Sequence, residues 1–218
     1  MDVSIFDIVE NGVSNSEISK SITDKLKDKY NEEFCVKLIG NRFGTSTDDT
    51  VTTFCFPKND ESLLFTATLN KEETILEDDY YIKKLTTEIQ ENIKKQFKKY
   101  TQSVVAKAEL MGLNRLNENM DVLDFIDKYK DTNFLAYIVC SENVLDQDLM
   151  DIYVEIEKLY NNINLRTLIY FIDESKFEEF YELSNKIPSV TETIINKYNV
   201  KNEKIIKIFE KNIIVIKW

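Results

Sequence analysis

Apolar residues at Ile82, Leu85, Ile89, Ile93, Phe97, Tyr100 and Val104 recur every three or four positions, the spacing of one stripe on an α-helix. Asp78 and Asp79 stand at its N-terminal end, where the helix dipole favours negative charge, and Gly112 stands where a C-terminal cap belongs. The spacing predicts a single helix over 78–111, about 45 Å long at the standard rise, which serves as the spine of the chain. An earlier stripe, Ile18, Ile22, Leu26 and Tyr30, follows the capping box Ser14-Asn15-Ser16-Glu17 and predicts a helix over 15–30.

Between these helices the pattern changes to short apolar runs broken by turn residues. Strands are expected over 34–39, 51–56 and 62–69, with turns at 40–49 and 57–60 and a polar linker over 70–79. After Gly112 come a short helix over 120–129 and a continuous apolar strand over 134–140. Leu149, Ile152, Tyr153, Ile156 and Leu159 then carry a helix that Asp146 can cap. A second apolar strand covers 165–172. Two short helices follow, over 175–183 with Glu178 closing a capping box and over 189–198 with Glu192 doing the same. Residues 204–218 read as a hairpin turning at 210–212. The expected class is α+β: a three-stranded antiparallel meander with flanking helices (α-β-β-β-α), joined by the long central helix to a β-α-β-α-α-β-β lobe. Its two buried strands are expected to form a right-handed parallel crossover closed by an antiparallel edge. The pattern shifts near Gly112, which divides the chain into lobes 1–112 and 113–218, expected to pack into one body.

Composition narrows the chemistry. Hydrophobic residues make up 43% of the 218 and aromatic ones 11%, enough for a core without disulfides or metals. The formal charge of −11 argues against nucleic acid or anionic lipid, whose phosphates would be repelled. It suits a basic partner, or simple solubility. There is no histidine, so no Ser-His-Asp or Cys-His nucleophile pair and no imidazole acid or base is available. An enzyme would have to use carboxylates, Lys, Tyr or Cys. The three cysteines, Cys35, Cys55 and Cys140, lie in apolar strand-like runs, which suits free buried thiols; a Cys35–Cys55 bridge across two strands is the alternative. No apolar run reaches 18 residues, and the start lacks the basic and apolar regions of a signal peptide, so no membrane span is expected and the cytoplasm is the expected location.

The segment 40–49 is the most unusual, holding two of the four glycines and ending in Thr-Ser-Thr-Asp-Asp. It lacks the Lys-Ser/Thr of a phosphate loop and works as a turn between strands, or as a binding loop on a rigid scaffold. Asp146, Asp148 and Asp151 invite a calcium reading, but Met150 and Asp151 occupy the positions where an EF-hand needs an oxygen ligand and a glycine, so acids in a helical first turn account for them better. Asp48-Asp49 and Asp78-Asp79 are adjacent pairs, not a pair facing across a cleft. Lys83, Lys84, Lys94, Lys95, Lys98 and Lys99 flank the central stripe as a solvated face, interrupted by Glu88 and Glu91. No catalytic residue, cofactor site or metal site is expected. The candidate partner-binding residues are Arg42, Phe43, Asp48, Asp49, Asp78, Asp79, Tyr80 and Tyr81, an acidic face bearing tyrosines suited to contact.

The runs Lys29-Tyr30-Asn31-Glu32-Glu33-Phe34, Gly40-Asn41-Arg42-Phe43-Gly44-Thr45, Asp49-Thr50-Val51-Thr52-Thr53 and Pro57-Lys58 resemble a set of small proteins and lipoproteins of low-GC Gram-positive bacteria, some of which accompany secreted toxins. The resemblance covers residues 15–100, rests on a strand-turn-strand signature and carries no catalytic residue over. This chain lacks the lipobox of that set. The resemblance and the acidity together lead to a non-catalytic immunity protein that occludes a toxin with a basic surface. The alternatives are a ligand-binding surface lipoprotein, anchored outside the cell with its leader removed, and a carboxylate- or metal-dependent hydrolase.

Overall fold

The computed structural model describes residues 15–40, 50–70, 76–113, 115–187, 189–209 and 211–217. It is an α+β protein whose chain divides between Tyr80 and Tyr81 into two compact units.

In the first unit, helix α1 (Asn15–Tyr30) buries Ile18, Ile22 and Leu26, the stripe read from the sequence. Ser14 of the expected capping box lies outside the described residues. Strands β1 (Phe34–Ile39), β2 (Thr50–Pro57), β3 (Phe65–Asn70) and β4 (Leu76–Asp78) form an antiparallel sheet in that order. Along β2 every second residue is buried, the period-2 signature of a sheet with one covered face. The fourth strand corrects the expected three-stranded meander: Leu76, Glu77 and Asp78 pair with Leu69, Thr68 and Ala67 where a polar linker was read.

Cys35 lies opposite Phe56 and Cys55 opposite Val36, so the two thiols point to opposite faces and both are free. The bridge alternative is thereby excluded. Burial pushes the Cys55 and Cys140 thiols up to about 12. Because the thiolate is the reactive form, neither should be alkylated by iodoacetamide at pH 8 in the folded protein, while both should react within minutes in 6 M guanidinium; intact-mass spectrometry reads the difference.

The long helix over 78–111 is corrected as well. Helix α2 (Tyr80–Phe97) stops after 18 residues, where Tyr100 and Thr101 both donate to the Phe97 carbonyl. Residues Val104–Met111 then form strand β5. Tyr100 and Val104 continue the helical spacing by coincidence. The β-branched pair Val104-Val105 and the alternation of buried Val104, Ala106 and Ala108 have the strand period instead. Gly112, at φ +85°, ends this strand and does not cap a helix.

The second unit continues with α3 (Val122–Lys128), β6 (Asn133–Cys140), α4 (Asp146–Tyr160), β7 (Asn164–Phe171), α5 (Glu174–Ser184), α6 (Glu192–Ile195) with a 3-10 turn at Asn196–Tyr198, and the hairpin β8 (Asn202–Phe209) and β9 (Asn212–Lys217). The sheet order is β5-β6-β7-β8-β9. Strands β6 and β7, joined by α4, are parallel as expected, and the other neighbours are antiparallel. Strand β5, hidden inside the expected helix, pairs with β6 along its length. That pairing places the unit boundary well before Gly112.

Three of the expected caps differ. The helix expected over 189–198 starts only at Glu192, after Thr191, whose side chain makes no cap hydrogen bond, so Glu192 closes no capping box. Asp173, not Ser175, caps α5 by accepting from the Ser175 backbone N–H at 3.0 Å. The Asp146 carboxylate, expected to cap α4, instead accepts from the buried Lys204 Nζ at 2.9 Å, while the same ammonium donates to the Val144 carbonyl at 3.2 Å. One face of this sheet packs on α2, α3 and α4, with Ile89, Phe97, Phe125, Ile152 and Ile156 filling the core. The opposite face is covered by α5 and α6 through Phe180, Val190, Ile195 and Tyr198, but over half its length only.

Candidate functional site

Of the eight residues read as partner-binding, Arg42, Phe43, Asp48 and Asp49 lie outside the described residues. Of the other four, Asp78 and Tyr80 are buried and Asp79 and Tyr81 partly so. The Asp78 side chain is 1% exposed and receives Lys29 Nζ at 2.8 Å, the Tyr30 hydroxyl at 2.5 Å and the Tyr80 backbone N–H at 3.1 Å. Tyr80 is buried, donates its hydroxyl to Glu32 at 2.9 Å, and sets its ring against Tyr30, Phe34 and Phe65 at 4.8–5.2 Å. Asp79 accepts from the Thr66 backbone N–H at 2.6 Å. Tyr81 packs on the core of the second unit. Asp78 and Tyr80 are thus a staple of the first unit, because an acid at the end of a strand meets one phenol hydroxyl, one backbone N–H and one ammonium in the interior.

The open surface is on the second sheet. Successive residues of a strand alternate between faces, so the half-covered face carries Glu109 and Met111 from β5, Leu135 and Asn133 from β6, Arg166 from β7, Lys207 and Phe209 from β8, and Ile214 from β9. Cross-strand register puts Glu109, Leu135, Arg166, Lys207 and Ile214 into one row across all five strands. The next row inward holds Lys107, Tyr137, Leu168 and Ile205, and α5 and α6 begin to cover the sheet there. Beyond that cover is a groove of about 530 Å³ lined by Met111, Leu135, Arg166, Lys207, Phe209 and Ile214 among others. Met111, Phe209 and Ile214 are 49–50% exposed, a concentration of large apolar side chains in water.

The charge here runs against that of the chain. Its floor carries Arg166 and Lys207 in a protein of −11, while Lys204 and Lys217 lie opposite each other at the far end of the sheet and Lys201 and Lys204 are held by Asp173 and Asp146. Arg166 and Lys207 sit side by side on the groove floor. At the β5 end of the row, burial raises the Glu109 carboxyl above its ordinary range, and burial together with Glu109 and Glu192 raises the Tyr137 phenol. A second hollow of about 350 Å³, near Lys99, Tyr100, Asp151 and Lys158, is more polar, and its Lys158 is already taken by Glu155 at 2.7 Å. Among the described residues no three metal-ligating side chains converge, and no helix is long and apolar enough to cross a membrane.

Lys107 adds a titration that can be measured. Burial, then the nearby Lys83 and Lys94, push its ammonium down to about 8. An unfolded lysine titrates near about 10.4. Between these values the unfolded chain holds a proton that the folded chain has lost, so stability rises with pH across that window and the cost is fully present below pH 8. Lys107→Met is therefore expected to stabilise the protein by about 2 kcal/mol at pH 7, with the gain shrinking towards zero by about pH 10.5. Urea midpoints of both proteins at pH 7 and pH 10 check this; a gain that does not change with pH contradicts it.

No family model matches the chain, and no curated protein matches it. Among solved structures it is similar to a DUF5037 family protein from Ruminococcus gnavus, with a TM-score of 0.67 and 15% identity over 88% of this chain and 92% of that one. The likeness is one of fold.

The groove was missed in the sequence because its parts are dispersed over five strands. A local signal was present: Arg166 and Lys207 each stand between apolar residues of a strand, at the position where the alternation points away from the main core. Sequence alone does not place these two cations next to each other.

Proposed function

We propose that this protein is a non-catalytic protein-binding module that occludes its partner, as an immunity protein does a toxin. The observation that carries this reading is the apolar, cation-bearing groove left open on the second sheet. Exposed aromatic, Met and Arg side chains around an apolar floor are the residue types enriched where proteins meet. The chain has no histidine, so the acid–base and nucleophile pairs that depend on imidazole are not open to it. The acidic face expected from Asp78, Asp79 and Tyr80 supports the reading less, since Asp78 and Tyr80 are spent on holding the first unit together.

The test is co-expression with the products of neighbouring genes in the native host. A stable complex with one of them, lost on Ile214→Asp while the variant keeps its unfolding midpoint, is the expected result. A complex that tolerates Ile214→Asp, or none with any neighbour, counts against the reading. A second reading, a small amphipathic ligand, is favoured by the groove volume, which lies within the usual range for ligand pockets. It predicts binding of a medium-chain carboxylate by calorimetry with no protein partner required.

A further inference from the structure

We infer that the element seated in this groove is an acidic amphipathic helix of the partner, lying across the strands beside α5 and α6. The inference rests on the protein-binding reading and names the chemistry of what binds. The same sheet face is already covered over half its length by helices, through Phe180, Val190 and Ile195. The uncovered half continues that layer with the same kind of floor: Leu135 and Ile214 apolar in one row, Met111 and Phe209 flanking it. The groove reaches from β5 to β9. Four strand spacings make about 19 Å, the length of a helix of about 13 residues.

Charge selects among apolar helices. Arg166 and Lys207 lie next to each other in the centre of the row and are the two cations among the described residues that line the groove. A helix that buries an apolar stripe here meets one guanidinium and one ammonium near its middle, and only carboxylates beside that stripe leave them paired; an apolar or basic helix would desolvate them without compensation. Glu109, at the β5 end of the row, disfavours an acid at that end of the helix, so the carboxylates belong over β7 and β8. A second copy of this chain fits less well, because its own exposed groove residues are again apolar and basic.

The experiment is a yeast-displayed library of 16-residue segments, half patterned as helices and half as alternating strands, with acidic, basic and neutral residues at the polar positions. It is selected on the full-length protein and counter-screened on Arg166→Glu, Lys207→Glu and Ile214→Asp. The expected winners are helix-patterned, carry acids three or four residues apart beside an apolar stripe, and bind about tenfold more weakly to each charge-reversed variant. Winners that need Ile214 but are strand-patterned, basic, or indifferent to both charge reversals overturn the helix inference and leave the protein-binding reading standing. Winners indifferent to all three variants, or none at all, overturn both. The unfolding midpoints of the three variants, expected to match the parent because the positions are open, exclude misfolding as the cause.

Discussion

Ile169→Ala is expected to destabilise the second unit by about 3–4 kcal/mol, the larger part of a small domain's stability. Ile169 is fully buried on β7, the central strand of the five, with Ile138 opposite it on the parallel neighbour β6 and the α4 side chains above. Truncation removes three carbons from a place hemmed in on every side by strand and helix, so the cavity has little room to collapse. Urea denaturation followed by circular dichroism should show a lower midpoint with an unchanged slope. Ile214→Ala, the same deletion on the open half of the other face, should cost under about 0.5 kcal/mol. Equal costs at the two positions would mean that the groove floor is covered in solution.

Asp78→Ala is expected to cost the first unit about 3 kcal/mol. The carboxylate collects one ammonium, one phenol hydroxyl and one backbone N–H beside four packed aromatic rings, and its removal takes these three hydrogen bonds from a buried position. Lys29 is partly exposed and can turn to water, so it contributes the smaller share. Tyr30→Phe, which removes one donor and leaves the rest, should cost about 1 kcal/mol. If Asp78→Ala costs no more than Tyr30→Phe, the acid is not the centre of the staple. The expected loss also bears on function: a substitution at Asp78 that abolished partner binding would do so by unfolding the unit, and only a variant with an intact midpoint would locate a surface.

The parts of the fold that were legible in the sequence are those with local causes. Helix α1 shows in its stripe, the β6-α4-β7 crossover in two apolar runs around an amphipathic one, and the final hairpin in two apolar runs around a polar turn. Strand β5 was illegible because Tyr100 and Val104 fall in phase with the helix before them; the decision for strand comes from pairing with β6, a contact the sequence does not display. Strand β4 was too short and polar to be seen without its partner β3. The groove failed to appear for a related reason. Glu109, Leu135, Arg166, Lys207 and Ile214 are brought into one row by register alone. The acidic pair at 78–79 drew attention as a surface feature because sequence shows charge and not burial, and Asp78 proved to be an interior carboxylate with partners 48 and 49 residues away.

Hydroxyl-radical footprinting of the protein, free and in complex with its co-purified partner, tests the groove most directly, since Met111 and Phe209 are both reactive side chains and both about half exposed. Labelling of Met111, Phe209 and Ile214 is expected to fall severalfold in the complex, while Tyr181 on α5 and Leu123 on α3, exposed outside the groove, keep their labelling. Loss of labelling at those two positions, with Met111 and Phe209 unchanged, would contradict it.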